Sequence, residues 1–179
     1  LWNIARFISS KLGEQHDIVP LQPVSAADHY ILRKLQQSTS EISEHLDNYR
    51  FSEAYDSLYH TVRDDVADWY IEASKGQQND SVLQYVLTTI LTLSHPFAPF
   101  VTETIWQTLG FTKDTVLAVA AWPKPVEFND KAASSFEEIK IIVTEARTII
   151  TNLGLLRSTL YFHDVPFLKD NADLLKRLA

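Results

Sequence analysis

Neither cysteine nor methionine occurs among the 179 residues, and glycine appears only at positions 13, 76, 110 and 154. Without thiols, disulfides, thiolate nucleophiles and thiolate metal sites are ruled out. Four scattered glycines cannot form a glycine-rich phosphate cradle. The histidines at 16, 29, 45, 60, 95 and 163 include no pair four residues apart, the helical spacing that turns two imidazoles toward one metal. No catalytic residue, metal site or cofactor is therefore assigned to this chain.

Long apolar runs are missing too. The stretch Tyr85 to Leu93 is interrupted at Thr88, Thr89 and Thr92, and nothing approaches the roughly 20 apolar residues of a bilayer span, so no membrane partner is expected. The start, Leu1-Trp2-Asn3-Ile4-Ala5-Arg6-Phe7-Ile8, has neither the basic flank nor the unbroken apolar core of a secretory signal. With no Met at position 1, the sequence reads as a segment of a longer chain, and a cytoplasmic location is expected. Positive charge is scarce: 16 Lys and Arg against 23 Asp and Glu give a net charge of -7 and a pI near 5.3. A domain that grips nucleic acid over its whole surface is basic, so contact with RNA would need a local patch, and DNA is not an expected partner.

Apolar residues make up 45% of the chain, enough for a sizeable core, and they recur at helical spacing. Ile4, Phe7, Ile8 and Leu12 predict a first helix closed by Gly13. Ser25 caps a second, running to about Asp47 with Tyr30, Ile31, Leu35, Ile42 and Leu46 on its stripe. After the corner Tyr49-Arg50-Phe51, a third helix extends to about Ser74 and is closed by Lys75-Gly76. A fourth, Ser81 to about Leu93, is apolar on most sides. His95-Pro96-Phe97-Ala98-Pro99 breaks it, and Pro99 opens a fifth that ends at Gly110. Long helices with short connections predict an antiparallel bundle.

The character then changes. Val116 to Ala120 is short and β-prone, Trp122-Pro123-Lys124-Pro125 reads as an extended connector, and Ser135 is the expected cap of a helix carrying Phe136, Ile139, Ile142, Val143 and Ala146. Ser158 to His163 reads as a strand, and Asn171 to Ala179 as another helix. The expected fold is mainly α: a helical bundle over 1–112, then a connector and a small α/β appendage over 113–179.

Three clusters could carry chemistry. Asp64 and Asp68 share a helical face, as acid–base or metal-binding carboxylates would, and a small hydrolase is one reading of them; a solvated acidic face is the simpler one. His95 reads as a turn residue packed over Pro96. Tyr49, Phe51, Tyr55, Tyr59, Trp69 and Tyr70 could stack on bases, but Tyr55, Tyr59, Val62 and Trp69 fit the helical stripe and are expected in the core.

The order of several segments resembles the anticodon-binding domain of valine-type class I aminoacyl-tRNA synthetases. The segments are Leu1-Trp2-Asn3-Ile4-Ala5-Arg6-Phe7, Ala27 to Leu32, Leu46-Asp47-Asn48-Tyr49-Arg50-Phe51, Asp68-Trp69-Tyr70-Ile71-Glu72 with Lys75, and His95 to Trp106. Ala121-Trp122-Pro123 and Phe136 to Leu155 resemble the extension found in valine enzymes. Ala98 departs from the methionine usual there, and Val62 to Ala67 is less apolar than in many members. The His-Ile-Gly-His and Lys-Met-Ser-Lys-Ser signatures that hold ATP in this class do not occur.

The resemblance implies a parent enzyme that joins valine to its tRNA with ATP and magnesium. For this chain it implies docking of the tRNA anticodon stem-loop, contact with a catalytic domain of the same polypeptide, and no activity alone. Asn3, Arg6 and Lys11 on the first helix, Arg50 at the corner and Lys75 at the end of the third helix are the candidate tRNA-binding residues. The alternatives are the equivalent domain of an isoleucine- or leucine-type synthetase and a helical protein-interaction module.

Overall fold

The computed structural model describes residues 1–13, 20–110, 115–154, 159, 161 and 165–178. Helix α1 (Trp2–Leu12) buries Ile4, Ala5 and Ile8 along one stripe and stops at Gly13, whose φ of 74° suits glycine. Helix α2 (Ala26–Asp47) opens with a reciprocal cap: Ser25 Oγ accepts from the Asp28 N–H, and Asp28 Oδ2 accepts from the Ser25 N–H, each at 3.0 Å.

Helix α3 covers 51–74 in one continuous rod, α-helical over Phe51–His60, π-helical over Thr61–Ile71 and α-helical again over Glu72–Ser74. Within the widened part, where i→i+5 hydrogen bonds replace the usual i→i+4 set, Thr61, Val66, Tyr70 and Ile71 are buried. This is the stretch whose sequence, Val62 to Ala67, departs from the resemblance.

Asn79 caps α4 (Asp80–Ser94), which is buried on nearly every side. Helix α5 (Pro99–Leu109) starts on its proline and ends at Gly110 in the left-handed region, φ 65°. His95 Nδ1 and Thr102 Oγ1 lie 2.9 Å apart across the break between these helices, which gives His95 a structural role. Residues 121–129 run extended along α2, where Trp122 Nε1 donates to Ser43 Oγ at 2.9 Å and the Val126 N–H donates to Gln36 Oε1 at 3.2 Å. Helices α6 (Asp130–Asn152), α7 (Pro166–Asp170) and α8 (Ala172–Leu178) follow.

Helix α6 forms the largest helix-to-helix interface of the fold, against α2. The Tyr30 and Phe136 rings meet at 4.9 Å. Arg33, 9% exposed, reaches Asp130 at 2.9 Å, Ser134 at 3.0 Å and Glu137 at 2.8 Å. Lys140 contacts Asp65 at 3.3 Å and also the Tyr30 hydroxyl. Burial lowers the Lys140 pKa and, with the Asp65 hydrogen bond, raises that of Tyr30. At Glu137 burial favours the neutral acid, but the Lys34 and Arg33 cations outweigh it and hold the pKa below the usual value.

The mainly helical bundle is as expected, with three differences in detail. The sixth helix starts five residues before the expected Ser135 cap: the Asn129 side chain accepts from the Ala132 N–H, and Ser135, inside the helix, donates to the Lys131 carbonyl at 3.1 Å. Nothing in Lys131-Ala132-Ala133-Ser134 opposes helix, so the earlier cap prevails. The β-prone Val116 to Ala120 has no neighbouring strand and forms a 3₁₀ turn, Leu117–Val119; Leu117 is buried and its N–H donates to Glu103 Oε2 at 2.8 Å. The expected strand over 158–163 falls mostly outside the described residues. Thr159 and Tyr161 are in neither helix nor strand, and no strand occurs among the described residues.

Candidate nucleic-acid interface

Helix α1 turns its apolar stripe inward, which leaves Asn3, Arg6 and Lys11 exposed on its outer side. At its C-terminal end, Lys11 Nζ lies 5.7 Å from the centre of the Phe7 ring, and Lys75 Nζ, arriving from the end of α3, lies 6.0 Å from the same ring. An aromatic ring attracts a cation within about 6 Å, so Phe7 draws an ammonium group from each of two helices. Lys75 also pairs with Glu72 at 2.6 Å, an exposed contact of small energetic weight.

The turn between α3 and α4 completes this end of the bundle. Gln78 Nε2 donates to the Lys11 carbonyl at 3.1 Å and to Asp80 Oδ1 at 2.6 Å, joining the turn to α1. Arg177, from α8, donates to the Ala73 carbonyl at 3.4 Å, and its guanidinium rests where a side chain on Gly76 would stand. Arg177 was not among the sequence candidates. Its one signal was position in the basic last turn of a helix, which ordinarily serves the helix dipole. The same turn lines an open cavity of about 450 Å³ together with Pro20, Gln22, Val24 and the Asp28 carboxylate.

The five candidate residues are therefore divided. Lys11 and Lys75 come together on Phe7, and Arg6 lies on α1 behind them. Asn3, at the start of α1, faces the middle of α3, and Arg50 sits at the far end of that helix. Arg50 and Lys75 flank the whole of α3, at most roughly 37 Å apart at about 1.5 Å per residue. Arg50 pairs there with Glu44 at 3.3 Å, and Asn3 lines a cavity with Tyr55, Tyr59 and Phe97.

That second end is aromatic. Tyr49, Phe51 and Phe100 are exposed, and the Tyr55 ring lies 6.4 Å from Tyr59 and 5.7 Å from Phe97. The expectation that Tyr55 and Tyr59 belong to the core does not hold: they are 53% and 43% exposed, while Ala54 and Leu58, one position earlier, occupy the core. Trp69 is half-buried, with Lys140 at 5.1 Å and Arg147 at 5.5 Å from its ring.

The acidic residues of α3 do not converge. Asp64 accepts from His60 Nδ1 at 2.8 Å, and this hydrogen bond raises the His60 pKa; Asp65 turns inward to Lys140; Asp68 is exposed. Among the described residues no group of three or more His, Asp or Glu side chains could hold a metal ion, and no helix is long and apolar enough to cross a membrane.

Residues 28–160 match the family model described as the anticodon-binding domain of tRNA ligase. The chain is 34% identical over 163 residues to a valine--tRNA ligase of Mycolicibacterium paratuberculosis, an alignment covering 87% of this chain and 18% of that protein. It is 38% identical over 150 residues to a valine--tRNA ligase of Mycobacterium leprae, with 78% and 17% covered, and 37% identical over 158 residues to one of Staphylococcus epidermidis, with 79% and 18% covered. It thus spans about a fifth of the length of these relatives. The exposed cations at one end of an acidic helical bundle and these similarities agree: the chain belongs to the anticodon-binding domain family of tRNA ligases.

Proposed function

We propose that this chain docks the anticodon stem-loop of a valine tRNA through the end of the bundle that carries Lys11 and Lys75, with Arg6 alongside. The observation that carries this is the shared Phe7 ring, which gathers two ammonium groups from different helices beside a cavity framed by amides, on a chain of net charge -7. Phosphates seek a local positive field and need not meet a basic domain. Unstacked bases of a loop expose edges that amide side chains read.

The whole protein of which such a domain forms part would be a valine--tRNA ligase of the cytoplasm, coupling valine to tRNA with ATP and magnesium. The residues present do not fit a nucleotide or magnesium site: there is no glycine-rich loop, and no convergent acidic cluster among the described residues. This chain's part would be recognition alone. The aromatic end, with Asn3 and Arg50, suits contact with the catalytic part of the same polypeptide. The division at residue 112 would be functional: 1–112 presents the RNA-facing cations Lys11 and Lys75, and 113–179 braces them through α6 and α8.

Titration of labelled valine tRNA, isoleucine tRNA and valine tRNA with an exchanged anticodon, at low and moderate salt, tests this reading. Preference for the valine anticodon, weakening steeply with salt, is the expected result. Equal binding of all three would overturn anticodon recognition by this chain.

A further inference from the structure

We propose that the cavity walled by Tyr55, Tyr59 and Phe97 binds a small, flat aromatic carboxylate, with its ring among the three side-chain rings and its carboxylate at Arg63. The proposal is independent of RNA docking and concerns a different part of the bundle.

The walls come first. The cavity, about 450 Å³, lies between α1, α3 and the break between α4 and α5. That is about three times the roughly 150 Å³ of an apolar cavity that takes up benzene, so a bicyclic ring fits. Tyr55 is the hub of the aromatic side: its ring lies 6.4 Å from Tyr59 at 31° and 5.7 Å from Phe97 at 62°. Both spacings suit ring pairs, and a further ring can join them by offset stacking or edge contact. Ile4 and Leu58, both buried, close the core side. Tyr55 and Tyr59 are about half exposed, so ring surface now in water is covered when a ligand enters.

Charge selects the ligand. Arg63 is the one charged side chain among the described lining residues, and no Asp or Glu lines the cavity on a chain of net charge -7. Its guanidinium lies 5.8 Å from the centre of the Tyr59 ring, and Nη1 donates to the Tyr59 hydroxyl at 3.2 Å, so the cation is held at the aromatic wall. Asp64 Oδ1 stands 3.9 Å from Arg63 Nε, too far for a hydrogen bond, and the guanidinium retains donors for an incoming carboxylate.

Two further observations mark the cavity as a site. Ser94, in the lining, has a buried Oγ with no hydrogen-bond partner; no bond holds its rotamer, and a ring N–H turned toward it supplies one. Position 98 is alanine where the resembled family has methionine, and Ala98 lines the cavity, so the longer side chain's volume is space that a ligand can occupy.

The test is isothermal titration calorimetry of the full chain with indole-3-acetate, indole and cyclohexylacetate, each variant first checked by thermal melting. Indole-3-acetate should bind at a single site with a Kd of about 1 mM or tighter, ordinary for a ligand of its size. Indole, without the charge, and cyclohexylacetate, without the flat ring, should each bind at least about fivefold more weakly. Arg63→Gln should remove the advantage of indole-3-acetate over indole and leave indole binding as it was. Ala98→Met, which refills the cavity, should weaken both by about tenfold with the melting temperature unchanged or raised. Equal binding of all three ligands, or indole-3-acetate binding undiminished in Ala98→Met, would overturn the site. So would the absence of saturable binding up to about 10 mM.

Discussion

The Tyr70 hydroxyl donates to Oδ1 of Asp28 across 3.0 Å inside the core, tying the widened part of α3 to the start of α2. Oδ2 of the same carboxylate accepts from the Val24 and Ser25 N–H groups and from the Asn79 amide. Asp28→Ala would leave four donors without their acceptor, three of them on the loop before α2 and the turn before α4. Its expected cost is about 3 kcal/mol or more, against about 1–2 kcal/mol for Tyr70→Phe, each read from urea unfolding midpoints.

Alkaline pH acts on the same pair. Burial, then the charge of Asp28 and its hydrogen bond, push the Tyr70 pKa well above its ordinary value. The folded state therefore keeps a proton that the unfolded chain releases. The associated stability is complete below about pH 10 and declines as pH rises further, by up to about 1.4 kcal/mol per pH unit for one proton. The slope of unfolding free energy against pH above 10 should be shallower in Tyr70→Phe than in the parent chain; equal slopes would remove Tyr70 from the account.

Arg33 offers a test of how α6 is held. Its side chain is 10% exposed, whereas those of its partners Asp130 and Glu137 are 77% and 41% exposed, so solvent screens the carboxylate side of the contact. Arg33→Ala is expected to cost about 1–3 kcal/mol, below the loss typical of a fully buried pair. Hydrogen exchange should quicken first along α6.

On RNA, Lys11→Ala and Lys75→Ala should each reduce the slope of log affinity against log salt by roughly 0.7–0.9, as expected when one phosphate contact is lost. Arg50→Ala, at the far end of α3 and already paired with Glu44, should leave that slope nearly unchanged. A large effect of Arg50 would move the RNA to the aromatic end.

The helices were legible because their signals are local. Ser25 with Asp28, Pro99 and the glycines at 13 and 110 mark their ends whatever lies around them. The Asn129 cap lies well ahead of the first large core residue of its helix, Phe136, so the apolar pattern alone does not mark it. The exposure of Tyr55 and Tyr59 was not legible: a stripe of aromatics looks the same whether a partner helix covers it or not. Within the candidate interface, Lys11 and Lys75 could be named individually, but nothing local says that both ammonium groups meet over Phe7, or that Arg177 reaches the same corner.

The Arg177 guanidinium lying on Gly76 makes the α3–α4 turn and the last helix share one fate. A Cβ at position 76 would push the guanidinium aside, so this glycine is a seat for another residue's charge more than a hinge. If the proposed RNA contact steadies the turn, reciprocity requires that it steady α8 as well, and that loosening α8 weaken the contact. Leu175 and Leu178, buried under α8, would then register an event at the opposite surface of the turn. Displacing Arg177 from Gly76 would therefore loosen the turn and the last helix together.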